Sequence, residues 1–100
     1  MGESNQIIVG SKPTLNYITA CITLFNKGTR DVVLRARGKA INLAVEVAQL
    51  LKNKFVNDVS FSDILIDGET VIASNGKKIS LPIIEITLSK QKPSLDNNKK

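Results

Sequence analysis

The sequence contains no histidine and no tryptophan, and only one cysteine, Cys21. Without histidine it lacks the commonest general base, and a single thiol with no imidazole near it makes no nucleophile pair. One cysteine also excludes a disulfide within the chain, which fits an intracellular setting. Cys21 itself falls in a helical apolar pattern and is expected in the core. No apolar run approaches the roughly 18 residues needed to span a bilayer. The first residues do not form the basic region and apolar stretch of a secretory signal. Gly38-Lys39-Ala40 lacks the glycine spacing and the following Ser or Thr of a phosphate-binding P-loop. Asp63 and Asp67 are two carboxylates without partners and make no site. These absences speak against an enzyme, a metal site, a bound cofactor, a small-molecule substrate and a membrane span.

What the chain does have is positive charge, unevenly spread. Fourteen Lys and Arg against nine Asp and Glu leave a net charge of +5 over 100 residues. Between residues 7 and 43 the bases are Lys12, Lys27, Arg30, Arg35, Arg37 and Lys39, opposed by Asp31 alone. Such a concentration points to a polyanionic partner more than to general solubility. At its centre is Arg35-Ala36-Arg37-Gly38-Lys39, where an apolar strand turns into a helix. Residues two apart on a strand share a face about 6.5 Å apart, near the phosphate spacing along a nucleic-acid strand. The backbone N–H groups that open the next helix also attract anions. The segment is a candidate phosphate-backbone site; the alternative is an ordinary solvated strand end.

In chain order, residues 1–5 are polar and expected to be disordered. Ile7-Ile8-Val9 is a short strand ending at Gly10. Ser11-Lys12-Pro13-Thr14 starts a helix, with Pro favoured in its first turn; Leu15, Ile18, Ile22 and Phe25 form its apolar stripe. Asn26-Lys27-Gly28 ends it, Gly28 suiting the left-handed cap. Strand two covers about 31–36, with Val32, Leu34 and Ala36 on one face and Val33, Arg35 and Arg37 on the other. Helix two spans roughly 39–54, with Ile41, Ala44, Val45, Ala48 and Leu51 on one stripe. Strand three begins near Val59, and strand four runs from Ile79 to Leu88, where Pro82 marks an edge position or a bulge. Asp67-Gly68 and Asn75-Gly76 both suit a type I′ hairpin turn. Asn75-Gly76 is favoured as the tip because Val71-Ile72-Ala73 needs a strand partner; Gly68 would then be a bulge and the hairpin a long arm bearing Lys77 and Lys78. Residues 90–100 form a flexible basic tail.

This order predicts one domain over residues 6–89, an α+β two-layer sandwich of β-α-β-α-β-β order. A mixed four-stranded sheet would carry both helices on one face, and its first three strands can be parallel. Loops leaving the carboxyl ends of parallel strands share one edge, where ligands tend to bind. The Lys12 loop and the Arg35–Lys39 turn should therefore converge.

At this point the chain resembles the Alba family of archaeal chromatin proteins. The residues that carry the likeness are Lys12-Pro13 with Asn16-Tyr17, Phe25-Asn26-Lys27-Gly28, Arg35-Ala36-Arg37-Gly38-Lys39-Ala40-Ile41, Asn53-Lys54-Phe55, and Asn75-Gly76 before Ile84-Glu85-Ile86. It covers about residues 6–90 and implies a fold like the C-terminal domain of translation initiation factor three. It further implies a homodimer, or a heterodimer with a paralogue, that binds double-stranded DNA with little sequence preference and is chromosome-associated in the cytoplasm. On this resemblance Lys12, Arg35, Arg37 and Lys39 would be central phosphate contacts, with Asn16 and Tyr17 close by and Lys77 and Lys78 on the arm. Phe55 matches a position through which dimers of relatives pack side by side on DNA. Ser11 departs from the Lys that many relatives carry there, which puts regulation by acetylation in doubt for this chain and removes one central base.

The nearest rival is an RNA-binding protein or ribonucleoprotein subunit, because phosphate contacts alone do not separate RNA from DNA. A pure protein-interaction module is a further alternative. For Lys77 and Lys78 the plain reading is a turn kept soluble by charge. For Tyr17 it is a partly buried helix residue, and for Phe55 a core residue or hydrophobic staple.

Overall fold

A computed structural model of the chain describes residues 5–91. Four strands form one mixed sheet: β1 (Gln6–Ile8), β2 (Asp31–Arg37), β3 (Val59–Ile72) and β4 (Lys78–Lys90), in the spatial order β1-β2-β4-β3. β1 pairs parallel to β2, while β4 is antiparallel to both β2 and β3. The first three strands thus share a direction, but the expectation that they could form a parallel run fails at the third. β4 returns through a hairpin from β3 and takes the place beside β2, so β3 becomes the outer strand.

Two helices, α1 (Thr14–Asn26) and α2 (Ile41–Leu50), lie on one face. β2 alternates as its sequence requires: Val32, Leu34 and Ala36 are buried under the helices, and Arg35 and Arg37 lie on the opposite face. Register then places Ile84, Ile86 and Leu88 of β4 on the helix side with them. Leu34, Leu51, Leu88 and Ile18 are among the largest fully buried side chains, each contributing about 1.5–3 kcal/mol of burial.

The helix faces differ in detail from the periodicity. In α1 the buried residues are Tyr17, Ile18, Cys21 and Phe25, whereas Leu15 is 61% exposed. In α2 Val47 takes a core place and Val45 is left exposed. α1 ends in a two-bond cap, with Gly28 N–H to Phe25 O at 3.0 Å and Thr29 N–H to Leu24 O at 3.1 Å. Pro13 is the residue just before α1 rather than within its first turn.

The expected helix of 39–54 is three pieces. Gly38–Ala40 is a tight 3₁₀ turn, α2 is regular, and Leu51–Phe55 widens into a π turn closed by Val56 N–H to Leu51 O at 2.7 Å. Gly38 has φ of +58°, a left-handed conformation that lets the chain leave β2 and enter the 3₁₀ turn at once.

The hairpin tip lies at 73–77, and Asp67-Gly68 lies inside β3 with Gly68 paired to Pro82. The bulge is not at Gly68: the register shifts between Phe61 and Asp63. That shift keeps Phe61 and Ile64 on the same face despite their three-residue spacing. Nor is the tip a type I′ turn. Ala73 N–H bonds Lys77 O and Gly76 N–H bonds Ala73 O, enclosing Ser74-Asn75-Gly76, and only Gly76 has positive φ, +84°. This is a three-residue loop with glycine at the left-handed position. Asn75 Oδ1 accepts from Lys77 N–H at 3.0 Å, completing the turn.

β2 ends at Arg37, opposite Ile83. Pro82 therefore sits where β4 has a partner on one side only, an edge position as its missing N–H requires. Beyond that point β3 and β4 continue alone as an arm. Five residue steps lead from Ile83 to Lys78, about 17 Å at strand rise, and the molecule measures 61 × 29 × 23 Å. The described residues run slightly past the predicted domain. Asn5 O accepts from Val33 N–H, and Lys90 pairs with Val59 and lies 3.6 Å from Asp58. The expected disordered N-terminus and flexible tail otherwise fall outside the described residues.

Candidate nucleic-acid interface

The carboxyl ends of β1 and β2 lie at the same edge of the sheet, at the base of the arm. Ile8 is in register with Arg35, and Val9 N–H donates to Arg35 O at 2.8 Å. The loop after β1 and the turn after β2 therefore meet, as strand order demands. Between them is a cleft of about 420 Å³ lined by Ile8, Val9, Gly10, Arg35, Arg37 and Glu69, among others.

Lys12 is exposed on the first loop and Lys39 on the second. Both α1 and the 3₁₀ turn leading into α2 begin here, and neither carries an acidic residue in its first turn or a side-chain cap. Their open N–H groups add partial positive charge to the edge.

Tyr17 does not face solvent. It is 6% exposed, and its hydroxyl oxygen accepts from the backbone N–H of Gly10 at 2.8 Å and of Lys12 at 3.0 Å. The buried phenol thus holds the loop that carries Lys12 from beneath rather than standing on the surface. Asn16, one residue earlier on α1, is exposed beside that loop.

Arg35 and Arg37 share the open face of the sheet, but neither is free. Arg35 Nη1 pairs with Glu85, its register partner across β4, and Arg35 Nη2 lies 3.4 Å from Glu69 Oε1. Arg37 Nη1 lies 3.0 Å from Glu69 Oε2. The two glutamates were not among the residues sequence reasoning selected. Glu85 was within reach: Ile84-Glu85-Ile86 alternation puts it on the face opposite the core, and β4 beside β2 puts that face against Arg35. Glu69 required the true register of the arm, and nothing local announces it.

Lys77 and Lys78 stand exposed at the arm's tip, well away from the edge cluster. The predicted site residues thus form two groups, Lys12, Arg35, Arg37 and Lys39 at the edge and the lysine pair at the tip. Phe55 belongs to neither; it is 49% exposed at the end of the π turn, which corrects the plain expectation of a core residue.

A second surface is apolar. α1 packs over β1 and β2, and α2 over β2 and β4, so the helix side of β3 is left uncovered. Phe61, Ile64 and Ile66 are exposed there, Ile66 to 76%, beside Val45 of α2. Burial pushes the Cys21 thiol up to about 12, consistent with a core position. Among the described residues there is no group of three His, Cys, Asp or Glu placed to hold a metal ion, and no helix is long and apolar enough to cross a membrane.

Comparison with known proteins agrees with this architecture. The sequence model of the Alba family matches residues 5–67. A protein named "DNA/RNA-binding protein Alba" from Methanocella arvoryzae is 40% identical over 96 residues, covering 96% of this chain and all of its own length. A protein of the same name from Thermoplasma volcanium is 42% identical over 90 residues, covering 90% of this chain and all of its own. Among solved structures, Alba from Thermoplasma volcanium superposes with a TM-score of 0.81 at 41% identity, over 85% of this chain and 99% of that one. ALBA1 from Trypanosoma brucei gives a TM-score of 0.72 at 25% identity, over 90% of this chain and 72% of that one.

Proposed function

The chain belongs to the Alba family, and from that premise we propose that it is a non-enzymatic, sequence-non-specific protein that coats double-stranded DNA as a homodimer. The observation that carries this reading is the meeting of the Lys12 loop and the Arg35–Lys39 turn at the base of the arm. Lys12 and Lys39 have no ion-pair partner among the described residues and face solvent beside two uncapped helix starts. Point charges and backbone N–H groups of this kind hold phosphate oxygens without reading bases. Among the described residues both helices pack on the sheet, and neither stands out as a recognition helix for the major groove. Lys77 and Lys78 serve as the second contact, at the end of an arm long enough to follow a groove. Tyr17 supports the contact surface from beneath, and Asn16 flanks it.

The uncovered apolar strip of Phe61, Ile64, Ile66 and Val45 supports the dimer, because an exposed patch of this kind calls for a partner surface. A second copy would set two basic edges and two arms on one assembly, and Phe55 would remain outside for contacts between assemblies. The working place of such a protein is the chromosome, in the cytoplasm.

RNA is the second reading, favoured by the relatives' own name, "DNA/RNA-binding protein Alba". The two are separated by a gel-shift comparison of wild type with Arg35→Ala/Arg37→Ala, on duplex DNA and on structured RNA, at two salt concentrations. Salt-sensitive binding of the wild type to duplex DNA, weakened in the variant, is expected. Binding that ignores both the mutations and the salt would overturn the phosphate reading, and a strong preference for RNA would put RNA first.

A further inference from the structure

The edge cluster is electrostatically closed upon itself. Glu85, Arg35, Glu69 and Arg37 form a chain of alternating charge whose sum is zero, although its two arginines are the cations expected to meet phosphate. Glu69 is the link shared by both. One of its carboxylate oxygens faces Arg35 at 3.4 Å and the other faces Arg37 at 3.0 Å. A backbone phosphate offers the same geometry, two anionic oxygens on one centre, and guanidinium groups bind either anion in the same fork.

Resting on the nucleic-acid reading above, we propose that Glu69 is an internal stand-in for a backbone phosphate, which must leave Arg35 and Arg37 before they can take nucleic acid. The two glutamates differ in what they can do. Glu85 is the cross-strand partner of Arg35 within the sheet, its side chain 26% exposed, and it orients the guanidinium. Glu69 lies out on the arm opposite Leu81, two residues past the last β2–β4 pair, with its side chain 37% exposed. It can swing into water without disturbing the core, and exposed pairs of this kind open at little cost. Because Glu69 belongs to the arm and its partners to the body, the same contact ties the arm's base to the central edge. Phosphate arriving at the arginines would release that tie, so binding at the centre and freedom of the arm are coupled.

Glu69 could also weaken binding by simple repulsion of phosphate, and the test separates the two. Binding of the full-length protein to a duplex DNA of fixed length is measured at low salt for wild type, Glu69→Gln, and Asp67→Asn. Asp67 lies on the same strand face two residues away, has no ion-pair partner among the described residues, and removes the same charge when replaced. All three are measured again in an Arg35→Ala/Arg37→Ala background. Glu69→Gln should bind roughly three- to tenfold more tightly than wild type, the scale of releasing two exposed pairs, with Asp67→Asn within about twofold. In the arginine-less background the two substitutions should have equal effect, because the competition has lost its object. Equal effects already in the wild-type background, or a Glu69→Gln gain that survives loss of the arginines, would overturn the stand-in role. Loss of affinity from Arg35→Ala/Arg37→Ala alone still reports on the phosphate reading, so failure of one is not mistaken for failure of the other.

Discussion

The basic edge and the arm's tip carry similar charge on very different supports. The edge rests on the helix-covered half of the sheet: Arg35 and Arg37 alternate with buried Leu34 and Ala36, and the Lys12 loop is pinned by Tyr17 from the core. The tip is the end of two strands with no layer over either face, and Ile72 and Ile79 are exposed there. At the edge the cations are held in place and partly neutralised by glutamates. At the tip Lys77 and Lys78 are exposed side chains without an ion-pair partner among the described residues. Charge is masked where the strands are backed by the core, and open where they are not. A pre-organised edge suits affinity, and a free tip suits adaptation to the shape of a groove.

The largest effect should come from breaking the edge. On the proposed function, Arg35→Ala/Arg37→Ala would remove two phosphate contacts per chain and leave Glu69 and Glu85 unpaired, so affinity for duplex DNA should fall tenfold or more at moderate salt, read by fluorescence anisotropy. Lys77→Ala/Lys78→Ala removes equal charge from the tip but uncovers no carboxylate. A loss of only a few-fold is expected, fading as salt rises, with thermal stability unchanged. Tyr17→Phe asks whether the edge depends on its pinned loop. Without the hydroxyl, the Gly10 and Lys12 N–H groups lose their acceptor, at a cost of about 0.5–1.5 kcal/mol visible in denaturant unfolding, together with a modest loss of affinity.

The smallest effect concerns the core beneath the edge. The Cys21 thiol is held neutral by burial, moved from 9.0 to about 12. Folding therefore binds its proton more tightly than the unfolded chain does. Its contribution to stability is complete below pH 9 and declines as pH rises from 9 toward 12. Thiol reagents at pH 8 should react only after unfolding, and rapid labelling of the native protein would show that the core under the edge is open.

Much of the edge was legible because local rules and global topology agree there. Alternation in Val32 to Arg37 sets the faces of β2, and strand order brings the Lys12 loop to the same edge as the Arg35–Lys39 turn without any knowledge of side-chain packing. The arm's tip was legible through Asn75-Gly76 and the unpartnered Val71-Ile72-Ala73, although the loop type was not, since the same dipeptide serves both two- and three-residue hairpins. What escaped were features set by register. The bulge at Ser62, the exposure of Leu15 and Val45, and the bridge from Glu69 to two arginines depend on which residues face each other across strands and layers. Tyr17 shows the same limit on a smaller scale: its spacing beside Lys12 was visible, but not that its ring turns inward to hold the backbone.

Duplex-DNA affinity measured across a salt series, with Arg35→Ala/Arg37→Ala and Lys77→Ala/Lys78→Ala side by side, tests most directly that the edge carries the phosphate load. Both variants lose two positive charges per chain, so net charge cannot distinguish them. The slope of log affinity against log salt should flatten by about two per protomer for the edge variant, and by clearly less for the tip variant. Equal flattening in both, or greater flattening at the tip, would contradict the edge as the principal contact.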